Sequence, residues 1–146
     1  VVHLLVEALA DCARDRVGAL VVLPGRQPIA RHVRGGIALD GALSAPLLKS
    51  IFDVHSPGHD GAIVIERGRV SEFAVHLPLS TSFEQLGGVG TRHGAALGLA
   101  ELTDALCIAV SEERGTISIA RDGQLRQLAS PHELADALRS FVTAQK

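Results

Sequence analysis

The spacing of hydrophobic positions changes several times along the chain. In residues 1–16, VVHLLVEALADCARDR, Leu5, Leu9, Cys12 and Arg16 recur at mixed three- and four-residue intervals. That spacing predicts a helix with one apolar stripe. VGALVVL (17–23) is a short unbroken apolar run, which predicts a buried strand closed by the turn Pro24-Gly25. Residues 24–41 are rich in Gly and Pro and predict little regular structure. SAPLLKSIFDV (44–54) predicts a short helix with Ser44 as N-cap and Pro46 at its second position. HSPGHDG is a connector. AIVIERGRVSEFAVHL predicts two strands around the turn Arg67-Gly68. TSFEQLGGVG predicts a loop, and TRHGAALGLAELT a helix. ALCIAV and TISIA predict strands joined around Glu113-Arg114-Gly115, with GQLRQL a third after Asp122-Gly123. Ser130-Pro131-His132-Glu133 supplies the N-cap Ser, N1 Pro and N3 Glu of a capping box, so a last helix starts there.

This order predicts an α+β (α/β-like) fold, a central mixed β-sheet flanked by helices, in a single domain over 1–146. No internal repeat or low-complexity tract interrupts it. The 47% hydrophobic content supports one well-filled core. A net charge of -2 gives no electrostatic reason to expect nucleic acid. With no Trp or Tyr and four Phe, a base-stacking platform is poorly supplied. Cys12 and Cys107 lie in apolar runs and read as small core residues in a reducing compartment. No stretch is long enough to span a bilayer, so no membrane contact is expected from this segment. Val1–Ala10 lacks a basic leader region, and a cytoplasmic location is expected. The abrupt start at Val1, inside a helix, leads us to expect a piece of something longer.

Three places could carry chemistry. The helix start at Thr91 offers free N–H groups and the positive end of a helix dipole, which attract anions. Arg92 and His93 sit in that first turn, where cations disfavour the isolated helix; an arriving phosphate would remove the conflict. The plain alternative is a Thr N-cap with a solvated arginine. At His59-Asp60-Gly61, a carboxylate and an imidazole are adjacent, donor types that suit Mg²⁺ or Mn²⁺, although Asp-Gly is also an ordinary turn signal. His55 and His59 are four apart, but Ser56-Pro57-Gly58 breaks any helix between them, which excludes a metalloprotease-type pair. His3, His32 and His132 read as surface residues. Ser111-Glu112-Glu113 lies beyond the end of strand ALCIAV, where sheet proteins often hold ligands. There is no Walker loop and no G-x-S-x-G elbow, and LGGVGT is only a fragment of a dinucleotide motif.

Taken together, "SPGHDGAIVI", "LPLS", "GTRHGAALGLAELTDA" and "VSEERGTISIARDGQL", in this order and spacing, resemble the diadenylate cyclase domain, in its membrane-linked branch. The similarity runs along essentially the whole chain. Of the family's two motifs, Asp-Gly-Ala is intact as Asp60-Gly61-Ala62; Arg-His-Arg reads Arg92-His93-Gly94, without its last arginine. The tyrosine often found before Leu-Pro-Leu is His76.

The resemblance implies condensation of two ATP into cyclic di-AMP and two pyrophosphates across a face-to-face homodimer, with Mg²⁺, Mn²⁺ or Co²⁺. It implies Asp60, Arg92 and His93 as catalytic residues. Gly61, Ala62, His76, Leu77, Gly90, Thr91, Arg92, Ser111 and Glu112 would bind ATP. Asp60, His59 and Glu113 would face the metal. It also implies attachment of the full-length protein to the cell membrane through a preceding region. Gly94 cannot make the arginine's charge-assisted hydrogen bonds, worth roughly 1.5–3 kcal/mol each. Their loss at a transition state corresponds to about one to two powers of ten in rate. The alternative the resemblance leaves is a degenerate domain that binds ATP or cyclic di-AMP without efficient turnover.

Overall fold

The computed structural model describes residues 1–145. Seven strands form one mixed sheet in the order β2-β4-β3-β1-β5-β6-β7. The strands are β1 (Ala19–Leu23), β2 (Arg34–Ala42), β3 (Ala62–Glu66), β4 (Arg69–His76), β5 (Leu106–Val110), β6 (Ile117–Arg121) and β7 (Gln124–Gln127). The five helices are α1 (Val2–Arg14), α2 (Ala45–Ile51), α3 (Phe83–Leu86), α4 (Thr91–Leu102) and α5 (Pro131–Ala144). β1 runs parallel to β3, with Val21 beside Ile63, and every other pairing is antiparallel. The expected mixed sheet flanked by helices is what forms.

Strand side chains alternate between the two faces, so the sheet builds two cores. Ala19, Val21 and Leu23 of β1, with Ile63, Ile108 and Ile119, meet α1, α2 and α5 through Leu5, Leu9, Leu48, Leu134 and Leu138. Burying each such side chain contributes about 1.5–3 kcal/mol. Leu20 and Val22 point to the other face, where Ala62, Ala105, Ala109 and Ala120 leave room for α4 to lie close. Every residue of α4 from His93 to Ala100 is buried. This helix shows no stripe because the sheet covers one side and residues 77–80, with Leu86 of α3 and Leu125 of β7, cover the other. Cys12 and Cys107 are free and buried on opposite faces, as their apolar contexts predict. Burial pushes their thiols up to about 11 and about 12.

Ser44 caps α2 by accepting from the Leu47 N–H at 3.2 Å, and Pro46 occupies the second position as read. Ser130 accepts from the Glu133 N–H at 3.3 Å. Glu133 in return accepts from the Ala129 N–H, one residue before the position a capping box uses.

Four expectations need correction. The first helix stops at Arg14, and Arg16 turns left-handed at φ 57° instead of joining the stripe. Residues 24–41 are not irregular: they hold a 3₁₀ turn, Ala30–His32, and the nine-residue edge strand β2. β2 is exposed at most positions and pairs only with β4, so no alternation marks it. The loop over 81–90 contains α3, a single turn ended by Gly87 in the left-handed region. Finally, Gly90, not Thr91, is the N-cap of α4, and no side chain caps that end.

Gly98 sets how closely α4 meets residues 77–80. A Cβ there would overlap the Pro78 carbonyl oxygen and come within 2.9 Å of the Ser80 nitrogen. At Gly94, by contrast, a Cβ would meet Leu79 and Leu86 at 3.8 and 3.9 Å, ordinary contact distances. Helix propensity alone favours Ala at both sites by up to about 1 kcal/mol. Gly98→Ala should therefore destabilise by about 1–3 kcal/mol, because backbone must move, whereas Gly94→Ala should be neutral or stabilising. Urea unfolding of the two variants checks the contrast.

Candidate active site

The antiparallel and parallel pairings bring four strand ends together: β1 and β3 begin where β4 and β5 end. The uncapped start of α4 lies at the same end of the sheet. Between them is a cavity of about 570 Å³ lined by Asp60, His76, Thr91, Arg92, His93 and the Ser111–Glu113 turn, among others. A second cavity of about 540 Å³ shares Leu20, Asp60, His76, Thr91 and Ala95 with it and continues toward Arg31, Arg34 and Leu77. The two form one cleft, within the size range of small-molecule sites.

Asp60 stands at the mouth of this cleft, its side chain 76% exposed. The turn before it is fixed by backbone bonds from the His59 N–H to the Ser56 carbonyl and from the Gly61 N–H to the Gly58 carbonyl. Gly61 is glycine because β4 bulges over it: Ala74 is left-handed at φ 57°, and a Cβ at Gly61 would come within 2.8 Å of its Cα. That close approach locks Asp60 to the strand end that carries His76.

His59 Nδ1 is 2.8 Å from the Ser56 carbonyl. A carbonyl only accepts, so Nδ1 carries the hydrogen and Nε2 presents a lone pair unless the ring is protonated. That Nε2 lies 3.1 Å from Asp60 Oδ1. Two acceptors at that distance need a cation, either a proton on the ring or a metal ion. A ligating histidine commonly donates its other N–H to a carbonyl in this way, so the pair fits a divalent ion. Glu113 lines the same cleft, but among the described residues no three His, Cys, Asp or Glu side chains converge as a ligand set. Phosphate oxygens and water would have to complete the coordination.

At the α4 start, the first N–H groups have no side-chain partner, as an anion site requires. Arg92 turns inward: Nη2 donates to the His59 carbonyl at 3.1 Å, and Nη1 lies 3.6 Å from Glu112 Oε1. His93 is buried at 6% exposure. Burial first, then the charges of Arg92 and Arg114, hold its imidazole below the ordinary value of 6.5, which keeps it neutral near pH 7. Ser111 Oγ accepts from the Arg114 N–H at 3.2 Å, and among the described residues its own O–H, on the cleft wall, has no acceptor. Glu113 is held by its carbonyl, which accepts from Arg16, two residues past the end of α1.

The structure thus gathers Asp60, His76, Leu77, Gly90, Thr91, Arg92, His93, Ser111, Glu112 and Glu113 around one cleft. His59, Gly61 and Ala62 flank Asp60 without lining it, and Ala62 is buried inside β3. Gly94 lines neither cavity. Arg31, His32, Val33 and Arg34 were missed. They lie where no periodicity marks structure, and the three basic residues in RHVR were the only available signal.

Fold and site together define a mixed-sheet domain whose uncapped helix end and carboxylate–imidazole pair suit an anionic, metal-bound ligand. Comparison with known proteins narrows this. The family described as "DisA bacterial checkpoint controller nucleotide-binding" matches residues 6–125. A diadenylate cyclase of Listeria monocytogenes is 38% identical over 99% of this chain and 55% of its own length. The crystal structure of a double mutant of DacA from Staphylococcus aureus superposes with a TM-score of 0.89 at 36% identity, covering 96% of this chain and 93% of that one. A structure described as a hypothetical membrane spanning protein from Bacillus cereus gives a TM-score of 0.83 at 37% identity, covering 88% of this chain and 63% of that one. The chain belongs to the diadenylate cyclase domain family. It spans about half the length of the curated relatives it matches. No helix among the described residues is long and apolar enough to cross a membrane.

His93 yields a pH test. Its folded pKa is depressed, so the unfolded chain takes up a proton first as pH falls. The stability tied to its neutral form is complete above the ordinary value of 6.5 and declines as pH drops below it. The stability difference between wild type and His93→Gln should therefore shift against wild type between pH 7.5 and pH 5, measured by urea unfolding at each pH.

Proposed function

We propose that this domain is a metal-dependent diadenylate cyclase that works with two copies face to face. The carrying observation is the convergence of the Asp60–His59 pair, the uncapped α4 start and the Ser111 turn on one cleft. The phosphates of ATP would meet the N–H groups of Thr91 and Arg92 and the Ser111 hydroxyl, while the adenosine would lie toward His76 and Leu77. His59 and Asp60 would hold a divalent ion, Mg²⁺, Mn²⁺ or Co²⁺, with Glu113 nearby. When bound, that ion supplies charge neutralisation at the phosphates.

Each 3′-hydroxyl attacks the α-phosphorus of the ATP on the opposite copy, a P–O bond forms, and pyrophosphate leaves. The hydroxyl proton passes to Asp60, which among the described residues is the carboxylate lining this cavity besides Glu112 and Glu113. Two such steps consume two ATP and release cyclic di-AMP and two pyrophosphates. One cleft holds one nucleotide in this scheme, so a second copy supplies the in-line geometry. Neutral His93 would donate a hydrogen bond to a phosphate without adding positive charge. The likeness to a protein described as membrane spanning supports a membrane-attached full-length protein.

The test is incubation with ATP and each metal, with product identification by mass spectrometry. Cyclic di-AMP and pyrophosphate are expected, and Asp60→Asn should lower the rate by about 10²–10⁴-fold. Absence of product with every metal, at high protein concentration, would refute the reading. A second reading, nucleotide binding without efficient turnover, is favoured by Gly94 standing where the family has arginine. A rise of about ten- to a hundredfold in Gly94→Arg would support it. A smaller change would accord with Gly94 lying outside the cleft wall.

A further inference from the structure

Arg92 connects three segments that the proposed chemistry needs in fixed relation. Nη2 binds the carbonyl of His59, the residue directly before Asp60. Nη1 approaches Glu112 on the turn after β5. The guanidinium also lies flat against Gly18, just before β1: a Cβ there would come within 2.5 Å of Nη1, 2.6 Å of Cζ and 3.1 Å of Nε. The side chain is 18% exposed, and Nε is buried with no hydrogen-bond partner. An arginine serving only as a phosphate ligand would keep its planar fork of donors toward the cleft. This one directs its terminal nitrogens at its own chain.

Holding the His59 carbonyl fixes the peptide plane between His59 and Asp60. That plane sets how Asp60 Oδ1 and His59 Nε2 face each other across 3.1 Å. Among the described residues no backbone N–H donates to the Asp60 carboxylate, so its direction depends on this peptide. Partners of this kind, one layer behind the ligands, typically change metal affinity by ten- to a hundredfold when lost.

We infer that Gly18 and Arg92 form a clamp that positions the His59–Asp60 pair, with Gly18 the position whose missing side chain admits the guanidinium. Gly18 is a positioning residue that acts only through Arg92. Its role in metal binding rests on the cyclase reading of the site; the clamp itself rests on geometry alone.

The geometry also provides a clean perturbation. Gly18 is not among the positive-φ residues, so alanine fits its backbone. The atoms nearest a new Cβ all belong to the far end of one flexible side chain. Gly18→Ala should therefore leave the fold in place and expel the guanidinium.

Two measurements on wild type, Gly18→Ala, Arg92→Ala and the double variant test this. The first is hydrogen–deuterium exchange over residues 56–61 without ligand. The second is Mn²⁺ affinity by electron paramagnetic resonance, in the presence of an ATP analogue with a methylene between the α- and β-phosphorus. Both single variants should speed exchange at 56–61 and weaken Mn²⁺ binding by about ten- to a hundredfold. The double variant should be no worse than Arg92→Ala, because the three atoms nearest a new Cβ at Gly18 all belong to Arg92. Arg92→Lys, which keeps the charge but loses the fork, should behave like Arg92→Ala. Native exchange at 56–61 in Gly18→Ala overturns the clamp, as do additive effects in the double variant. If wild type binds no Mn²⁺ with the analogue, the cyclase reading and the clamp's metal role fall together. In that case the exchange comparison still decides the clamp.

Discussion

The arrangement depends on how closely α4 can approach the sheet and the segment that covers it. A helix buried along eight consecutive residues leaves no room for large side chains on either side. Alanines on β3, β5 and β6 and on the helix itself let it descend onto the sheet. Gly98 lets residues 77–80 pass over it, and the Ser80 N–H bonds to the Gly94 carbonyl at 3.0 Å. This packing holds the start of α4 in place without a side-chain cap. The first N–H groups are then free for a ligand, and the rest of the site is built around them. A capped helix would satisfy those groups locally and remove the reason for an anion to bind.

Strand direction does the remaining assembly. Because β1 and β3 are parallel while β4 and β5 oppose them, residues far apart in sequence reach one end of the sheet. Asp60 precedes β3, His76 ends β4 and Ser111 follows β5, each at a strand end where loops can present polar groups without disturbing the core. The bulge at Ala74 and the glycine at 61 then bring the Asp60 turn against β4. Local strain in β4, of order 1–2 kcal/mol for a left-handed alanine, is tolerated where it fixes a site residue.

Much of this was legible in the sequence, and the exceptions have physical causes. The runs VGALVVL, AIVIE and ALCIAV are buried on both faces and read directly as strands. β2 was invisible because RGGIALDGA pairs on one side only and is mostly exposed, so nothing selects an alternating pattern. The candidate site residues were singled out through motifs, and Asp60, Thr91, Arg92 and Ser111 do line one cleft. The direction of Arg92 was not. Whether an arginine at a helix start faces a ligand or its own chain depends on the absence of a side chain at Gly18, 74 residues earlier, and no local pattern encodes that contact. Gly94 lines neither cavity, and its missing side chain faces Leu86 and Leu79, the latter on the wall of the second cavity.

In the proposed reaction the α4 start and the His59–Asp60 pair would together receive a metal-bound triphosphate. The most direct measurement is a crystal structure of the domain soaked with Mn²⁺ and the non-cyclising ATP analogue, using the anomalous signal of Mn²⁺ to locate the ion. Mn²⁺ should lie within coordination distance of Asp60 and His59 Nε2, with phosphate oxygens on the N–H groups at the start of α4. Phosphates seated elsewhere, or Mn²⁺ bound away from both side chains, would contradict it.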